Sequence, residues 1–206
     1  MSIPDFLLIK FKKWKQNHYI KNKPKFNKLS NLGQSPKSMI ISCCDSRVLE
    51  THIFGANPGD FFIHKNIANL IPPHNKNKTN SETIASIEFA VKKLKVSHII
   101  ILGHSKCGGI EKLSNLDNKK NNELKYLYNW VKNAKPALKQ NELQKNNKNY
   151  HTILEQESIK NSINNLKNFP FINNKKIHIH GLWYDIKNGN LMYLDKNKFN
   201  FKKIDY

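Results

Sequence analysis

Residues 97–103 read Ser-His-Ile-Ile-Ile-Leu-Gly, an almost unbroken apolar and largely β-branched run. A strand with one wet face alternates apolar and polar residues, whereas a run this continuous fits a parallel strand buried on both faces. Two further short apolar runs, residues 38–44 and 61–65, read as strands, the second preceded by the turn signal Asn57-Pro58-Gly59-Asp60. Between them and the long run, residues 81–94 carry a helical period through Ile84, Ile87, Val91 and Leu94, with Ser81 in N-cap position.

Residues 124–138 and 152–166 are also helical in pattern, and the polar stretch 139–150 between them reads as a loop. Residues 176–182 alternate as a strand, and Asn188-Gly189-Asn190 returns the chain into a hairpin strand at 191–194. This order predicts an α/β fold: a mainly parallel β-sheet flanked by helices, with an antiparallel edge strand. At the N-terminus, residues 3–19 fit an amphipathic helix, followed by a basic linker to Lys28. We expect one domain over residues 1–206, with residues 1–30 as a helical arm.

The 35 basic against 15 acidic residues give a formal charge of +20, which raises the question of nucleic acid. The basic residues are lysines spread along the chain among asparagines, as in Lys145-Asn146-Asn147-Lys148-Asn149, and no recognition motif accompanies them. Compositional drift explains the charge, so no specific nucleic-acid partner is expected. No apolar run is long enough to cross a bilayer and no leader pattern is evident, so a soluble, cytoplasmic protein without membrane contact is expected. Three cysteines, Cys43, Cys44 and Cys107, are too few for a disulfide scaffold and point to metal binding or catalysis.

Within this lysine-rich composition Arg47 is the only arginine. Lysine replaces arginine where only charge is needed, but not where a planar fork must grip a carboxylate or carbonyls with parallel hydrogen bonds. Arg47 stands two residues after Asp45, in the segment Cys43-Cys44-Asp45-Ser46-Arg47 that follows the first strand. The segment His104-Ser105-Lys106-Cys107-Gly108-Gly109 follows the third. Ligands bind at the carboxyl ends of parallel strands. One cysteine from the first segment with His104 and Cys107 makes a Cys2His set, suited to zinc with a fourth position open, as in catalytic sites. A closed structural zinc site, a vicinal redox pair and an anion-cradling cysteine loop are the rival readings. The first would more usually draw on two compact knuckles, the second on CxxC, and the third on a wider spacing between cysteine and arginine.

The pattern Cys43-x-Asp45-Ser46-Arg47 with His104-x-x-Cys107-Gly108-Gly109 resembles that of the β-class carbonic anhydrases. The likeness extends to Gly33-Gln34-Ser35-Pro36, Pro58-Gly59-Asp60, Asn66-Ile67-Ala68-Asn69, Ile87-Glu88-Phe89-Ala90-Val91 and Gly181-Leu182-Trp183-Tyr184-Asp185. The resemblance implies a zinc enzyme that reversibly hydrates carbon dioxide to bicarbonate and a proton through a zinc-bound hydroxide. It implies self-association to a dimer or a higher assembly through N-terminal helices. Carried over by position, it gives Cys43, His104 and Cys107 as metal ligands and Asp45 and Arg47 as a catalytic pair, with Asp45 as fourth ligand in a closed state. Cys44 falls on a variable position.

The same resemblance puts Gln34, Phe62, Ile67, Phe89 and Gly108 in the substrate pocket, some contributed by the neighbouring subunit. Phe89 replaces a common tyrosine, and Lys65 replaces a common arginine, a change expected to weaken an interface contact. Carbonyl sulfide and carbon disulfide are the alternative substrates, and a basic nucleic-acid-binding protein is the alternative outside enzymes.

Overall fold

The structure, a computed structural model, describes residues 3–75, 81–114, 123–173 and 176–205; Met1 and Ser2 of the expected arm lie outside these. The chain divides into two compact units, Met1–Ser35 and Pro36–Tyr206.

The first unit is helical from Asp5 to Leu32. Helix α1 (Asp5–Trp14) has an acid in its first turn and Lys12 and Lys13 in its last, the arrangement the helix dipole favours. A π turn, Lys15–Tyr19, and a short 3-10 turn, Ile20–Asn22, lead into α2 (Lys23–Leu32). The expected basic linker is therefore a helix. Pro24 sits in the first turn, where its missing N–H costs nothing, and Gly33 at φ 75° ends the helix. Tyr19 and Trp14 pack on Phe26 with ring centroids 5.1 and 6.0 Å away, while Phe6, Leu7, Phe11 and Trp14 remain exposed.

The second unit is built on a six-stranded sheet. Its elements are β1 (Ser38–Cys43), α3 (Glu50–Ile53), β2 (Phe61–Asn66), α4 (Glu82–Lys92), β3 (His98–His104), α5 (Gly108–Ser114), α6 (Lys125–Val131), α7 (Lys135–Gln140), α8 (Tyr150–Lys167), α9 (Pro170–Asn173), β4 (His178–Tyr184), β5 (Leu191–Leu194) and β6 (Phe201–Lys203). The sheet order is β2-β1-β3-β4-β5-β6. The first four strands are parallel, and β5 and β6 add antiparallel. The antiparallel edge is thus two strands, not one, because β6 is a three-residue strand with too short a pattern to read in advance.

The polar stretch expected as a loop contains the end of α7, the 3-10 turn Glu142–Gln144 and the start of α8. Ser81 does occupy the N-cap of α4, but its side chain makes no cap hydrogen bond. One face of the sheet, through Met39, Ile41, Ile99 and Ile101, packs on α4 and α8. Fully buried residues such as Leu154, Ile159 and Leu166 on α8 each contribute about 1.5–3 kcal/mol by leaving water. Glycines at the contact let α8 approach: a Cβ at Gly103 would lie 2.6 Å from Ile159 Cδ1, and one at Gly181 3.0 Å from Ile159 Cγ2. Ser42 of β1 pairs with Leu102 of β3, so the residues that follow, Cys43 and His104, leave adjacent strands at the same end.

Candidate metal centre

Where β1 and β3 end, Cys43, His104 and Cys107 converge, all buried, with one potential ligand atom of each within 4.8 Å of the others. The two sulfurs are 3.9 Å apart; two thiolates at about 2.3 Å from a tetrahedral zinc would be about 3.8 Å apart. His104 Nδ1 donates to the Ser105 carbonyl at 2.9 Å, which fixes the tautomer and leaves the Nε2 lone pair aimed at the thiols. Among the described residues that buried Nε2 has no hydrogen-bond partner. An orphaned imidazole nitrogen beside two close sulfurs is a donor set that zinc satisfies. Cys44, by contrast, is exposed.

The thiols are electrostatically unequal. The hydrogen bond from Cys107, with help from the Ala68 amide, lowers the pKa of Cys43, whereas donating that bond and being buried raise that of Cys107. At His104 burial opposes a positive charge, but the adjacent Cys43 sulfur and Asp45 outweigh it and the net shift is upward. Cys44, removed from the set, is raised by its partial burial and by the charge of Cys43.

Asp45 and Arg47 form the fork anticipated from the lone arginine. Arg47 Nε donates to Asp45 Oδ1 at 2.9 Å and its terminal nitrogen to Oδ2 at 2.7 Å. The same terminal nitrogen reaches the Lys106 carbonyl at 3.0 Å, so it ties the first loop to the second. The Arg47 backbone N–H adds a further bond to Oδ1 at 3.0 Å. Held this way, chiefly by the guanidinium, the Asp45 carboxyl lies well below the usual carboxylate range and stays ionised. Its Oδ2 is 3.9 Å from His104 Nε2.

Three supports were not foreseen. Glu155 on α8, 3% exposed, accepts from the Cys107 backbone N–H at 3.1 Å and from the Trp183 indole at 3.1 Å; burial pushes its carboxyl pKa up, against those two hydrogen bonds. The second support is the turn after β2. Ala68 and Asn69 take left-handed φ values of 63° and 48° there, which aims the Ala68 N–H at Cys43 Sγ, 3.3 Å away. Asn66 pins this turn through bonds of 2.8 and 2.9 Å to the Leu70 N–H and carbonyl. Trp130 donates to the Ile67 carbonyl at 2.8 Å from the other side. Third, Ser105 Oγ accepts from the Ile186 amide at 2.9 Å and donates to Asp185 at 3.4 Å, anchoring the second loop to the end of β4.

The pocket residues divide. Ile67 lies against the site: a Cβ at Gly109 would meet its Cγ2 at 2.7 Å. Gly108 faces open space. Phe62 pairs with Met39, four positions before the Asn66 that pairs with Cys43, and so sits about 13 Å up the strands from its own chain's ligands. It packs on Phe89, ring centroids 5.8 Å apart, and Phe89 is exposed. Gln34 belongs to the N-terminal unit. Lys65, where an arginine was the common residue, is committed within the chain, donating to Glu50 at 2.6 Å and the Val48 carbonyl at 2.9 Å.

Comparison with known proteins agrees with this geometry. The family model described as carbonic anhydrase matches residues 38–191. The mitochondrial β carbonic anhydrase 6 of Arabidopsis thaliana is 34% identical over 203 residues, covering 93% of this chain and 69% of that protein. β carbonic anhydrase 3 of the same plant is 35% identical, covering 87% and 72%. Among solved structures, the β-carbonic anhydrase CcaA superposes with a TM-score of 0.90 at 27% identity, covering 98% of this chain and 92% of that one. A tetrameric β-carbonic anhydrase of Sordaria macrospora gives 0.80 at 32% identity, covering 92% and 95%. A family model matching three quarters of the chain and curated relatives at 34 and 35% identity show that the chain belongs to the β-class carbonic anhydrases, zinc enzymes that hydrate carbon dioxide, and its Cys43, His104 and Cys107 cluster could hold that metal.

Proposed function

We propose that carbon dioxide hydration in this chain is carried by Cys43, His104 and Cys107 as the zinc ligands and by Asp45 and Arg47 as the pair that orients the attacking water. The observation that carries this reading is the convergence of three buried donors, one with an orphaned nitrogen, beside a carboxylate held ionised by a fork. When bound, zinc supplies the Lewis acidity that lets water lose a proton near neutral pH. Asp45 would accept a hydrogen bond from the attacking water and set its direction, while Arg47 keeps the carboxylate aimed. Both Asp45 oxygens are engaged by Arg47, an arrangement that keeps the carboxylate from serving as a fourth ligand. The Cys107 N–H bond to Glu155 and the Ala68 N–H bond to Cys43 hold the sulfurs in place.

Ile67 and Gly108 border this site, while Phe62 and Phe89, packed together and remote from their own chain's ligands, are proposed to serve the pocket of a neighbouring subunit. Self-association is part of the proposal, and the Sordaria relative is tetrameric. In this chain Phe6, Leu7, Phe11 and Trp14, each at least 43% exposed, form an apolar stripe of the kind that a second subunit covers. Free cysteines suit a reducing compartment, for which we propose the cytoplasm. Among the described residues no helix is long and apolar enough to cross a membrane.

Stopped-flow carbon dioxide hydration with zinc analysis tests the assignment. Cys43→Ser, His104→Ala and Cys107→Ser lose zinc and turnover, whereas Cys44→Ser keeps both. Zinc loss in Cys44→Ser with retention in Cys43→Ser would overturn the ligand set. Parallel assays with carbonyl sulfide and carbon disulfide rank the substrates, and tight DNA or RNA binding with a steep salt slope and no zinc requirement would favour a nucleic-acid binder instead.

A further inference from the structure

At the end of the sheet remote from the cysteines, three histidines meet on one face. β4 begins His178-Ile179-His180, so its two imidazoles project to the same side. His98, the first residue of β3, is paired in register with His178, which puts it on that side as well. His98 Nδ1 and His180 Nε2 are 3.1 Å apart. The His98 ring stacks on His178 at 5.1 Å between centroids and lies 5.3 Å from His180. His98 and His180 are half-buried and His178 is exposed.

We propose that His98, His178 and His180 form a second metal site, separate from the Cys43, His104 and Cys107 set, for a late divalent transition ion of the nickel, copper and zinc group. At metal–nitrogen distances of about 2.0–2.1 Å, two imidazole nitrogens in adjacent positions stand about 2.9 Å apart at a right angle and about 3.4 Å apart in a tetrahedron. The observed 3.1 Å, spanned here by a hydrogen bond between the two rings, falls between these limits, so once that proton moves to the other nitrogen of its ring and the rings turn, the two nitrogens can share an ion without backbone movement. A strand pair offering one His-x-His and one cross-strand histidine places three imidazoles on one face of the sheet, two of which, His98 and His180, already have nitrogens in contact. His178, being exposed, reaches the shared ion by turning about its side-chain torsions, and water fills the remaining positions.

Neutral imidazole is the ligand form. Burial first, then the charges of Lys196, His98 and His178, hold the His180 pKa below its ordinary value, so this nitrogen is available at neutral pH. Imidazole selects this group of ions over calcium and magnesium, which require oxygen ligands. The facing Lys196 ammonium keeps the affinity below that of the thiolate set.

The test uses the full-length, zinc-replete protein carrying Cys44→Ser, which removes the exposed thiol as a competing ligand. Titration calorimetry with Ni2+, with zinc content followed in parallel, should register one additional ion per chain without zinc release. His178→Ala, a change at an exposed position, should weaken that binding by at least about tenfold, the scale on which even supporting groups of metal ligands act. His98→Gln with His180→Gln should abolish it. Absence of Ni2+ uptake beyond zinc displacement overturns the proposal, as does uptake whose affinity is unchanged in His178→Ala. Should the double variant fold poorly, the His178→Ala result decides alone.

Discussion

Replacing Gly109 with alanine adds one methyl group at the start of α5, and the structure specifies what that group meets. Its Cβ would stand 2.7 Å from Ile67 Cγ2, 2.9 Å from Ala68 Cβ and 3.5 Å from the Ala68 nitrogen. Carbon atoms rest no closer than about 3.5 Å, so the Ile67–Ala68 segment must withdraw by about 0.8 Å. Ala68 has little freedom to do so, since its φ of 63° is already unfavourable for a residue with a side chain and Asn66 clamps the turn. Overpacking of this kind costs about 1–3 kcal/mol. The gain from alanine in a helix is at most about 0.5–1 kcal/mol, and smaller in a first turn. The clash therefore wins, with a net loss of about 0.5–2 kcal/mol, or about 1–8 °C in Tm for a chain of this size.

The functional consequence follows from the same displacement. The Ala68 N–H is bonded to Cys43 Sγ at 3.3 Å, and metal–ligand distances tolerate only about 0.2 Å, so zinc should also leave faster. Gly108→Ala is the internal control, because nothing lies within 4 Å of its added Cβ and only the helix-propensity gain applies. Thermal unfolding and the rate of zinc transfer to a chelator should separate the two variants. A Gly109→Ala protein that melts at or above the parent and releases zinc at the parental rate would refute the argument.

Arg47→Lys should retain zinc and fold yet lose turnover by about 100-fold, because lysine replaces a three-bond fork with one mobile contact and a misplacement of about 1 Å is that costly; stopped-flow kinetics near the parental value would make the guanidinium dispensable. The depressed Asp45 pKa makes its ionised form a stabilising group, with that stability present above the unfolded value near about 3.9 and lost as pH falls through the folded one. The stability gap between the parent and Asp45→Asn should accordingly narrow from about pH 5 towards pH 2, as measured by urea unfolding; a gap that widens on acidification contradicts the ion pair. Deleting residues 1–19 should lower the assembly state in sedimentation velocity, and an unchanged assembly would remove the arm from that role.

The parallel strands were legible because residues buried on both faces need no polar alternation, so Ile99 to Leu102 announced themselves. The Asp45–Arg47 fork was legible for a different reason: a lone arginine among lysines pointed to a planar grip, and the structure has that grip on Asp45. Helix α2 was not, since its Lys- and Asn-rich sequence looks the same in a linker and in an exposed helix. Glu155 was also hidden: within a helix an acid reads as solvated, and only the approach of Cys107 and Trp183 from distant segments makes it interior. Lys65 and Glu50 escaped likewise, as a lysine on a strand gives no sign that its ammonium turns inward to a buried carboxylate. The left-handed turn at Ala68 carries no glycine to advertise it.

The hydrogen bonds of the two indoles in the second unit have a practical corollary. The chain has three tryptophans; Trp14 lies in the arm among Phe11, Tyr19 and Phe26. The other two each donate to a group immediately joined to the metal site, Trp183 to the carboxylate that holds the Cys107 amide and Trp130 to the carbonyl preceding Ala68. Their emission is therefore linked to the ligand shell, Trp183 through the buried Glu155 carboxyl and Trp130 through the turn that caps Cys43. Metal loading should change the field on both without any added label, and intrinsic fluorescence is then expected to follow zinc capture in real time. Trp130→Phe and Trp183→Phe would divide the signal between its two sources, one for each cysteine.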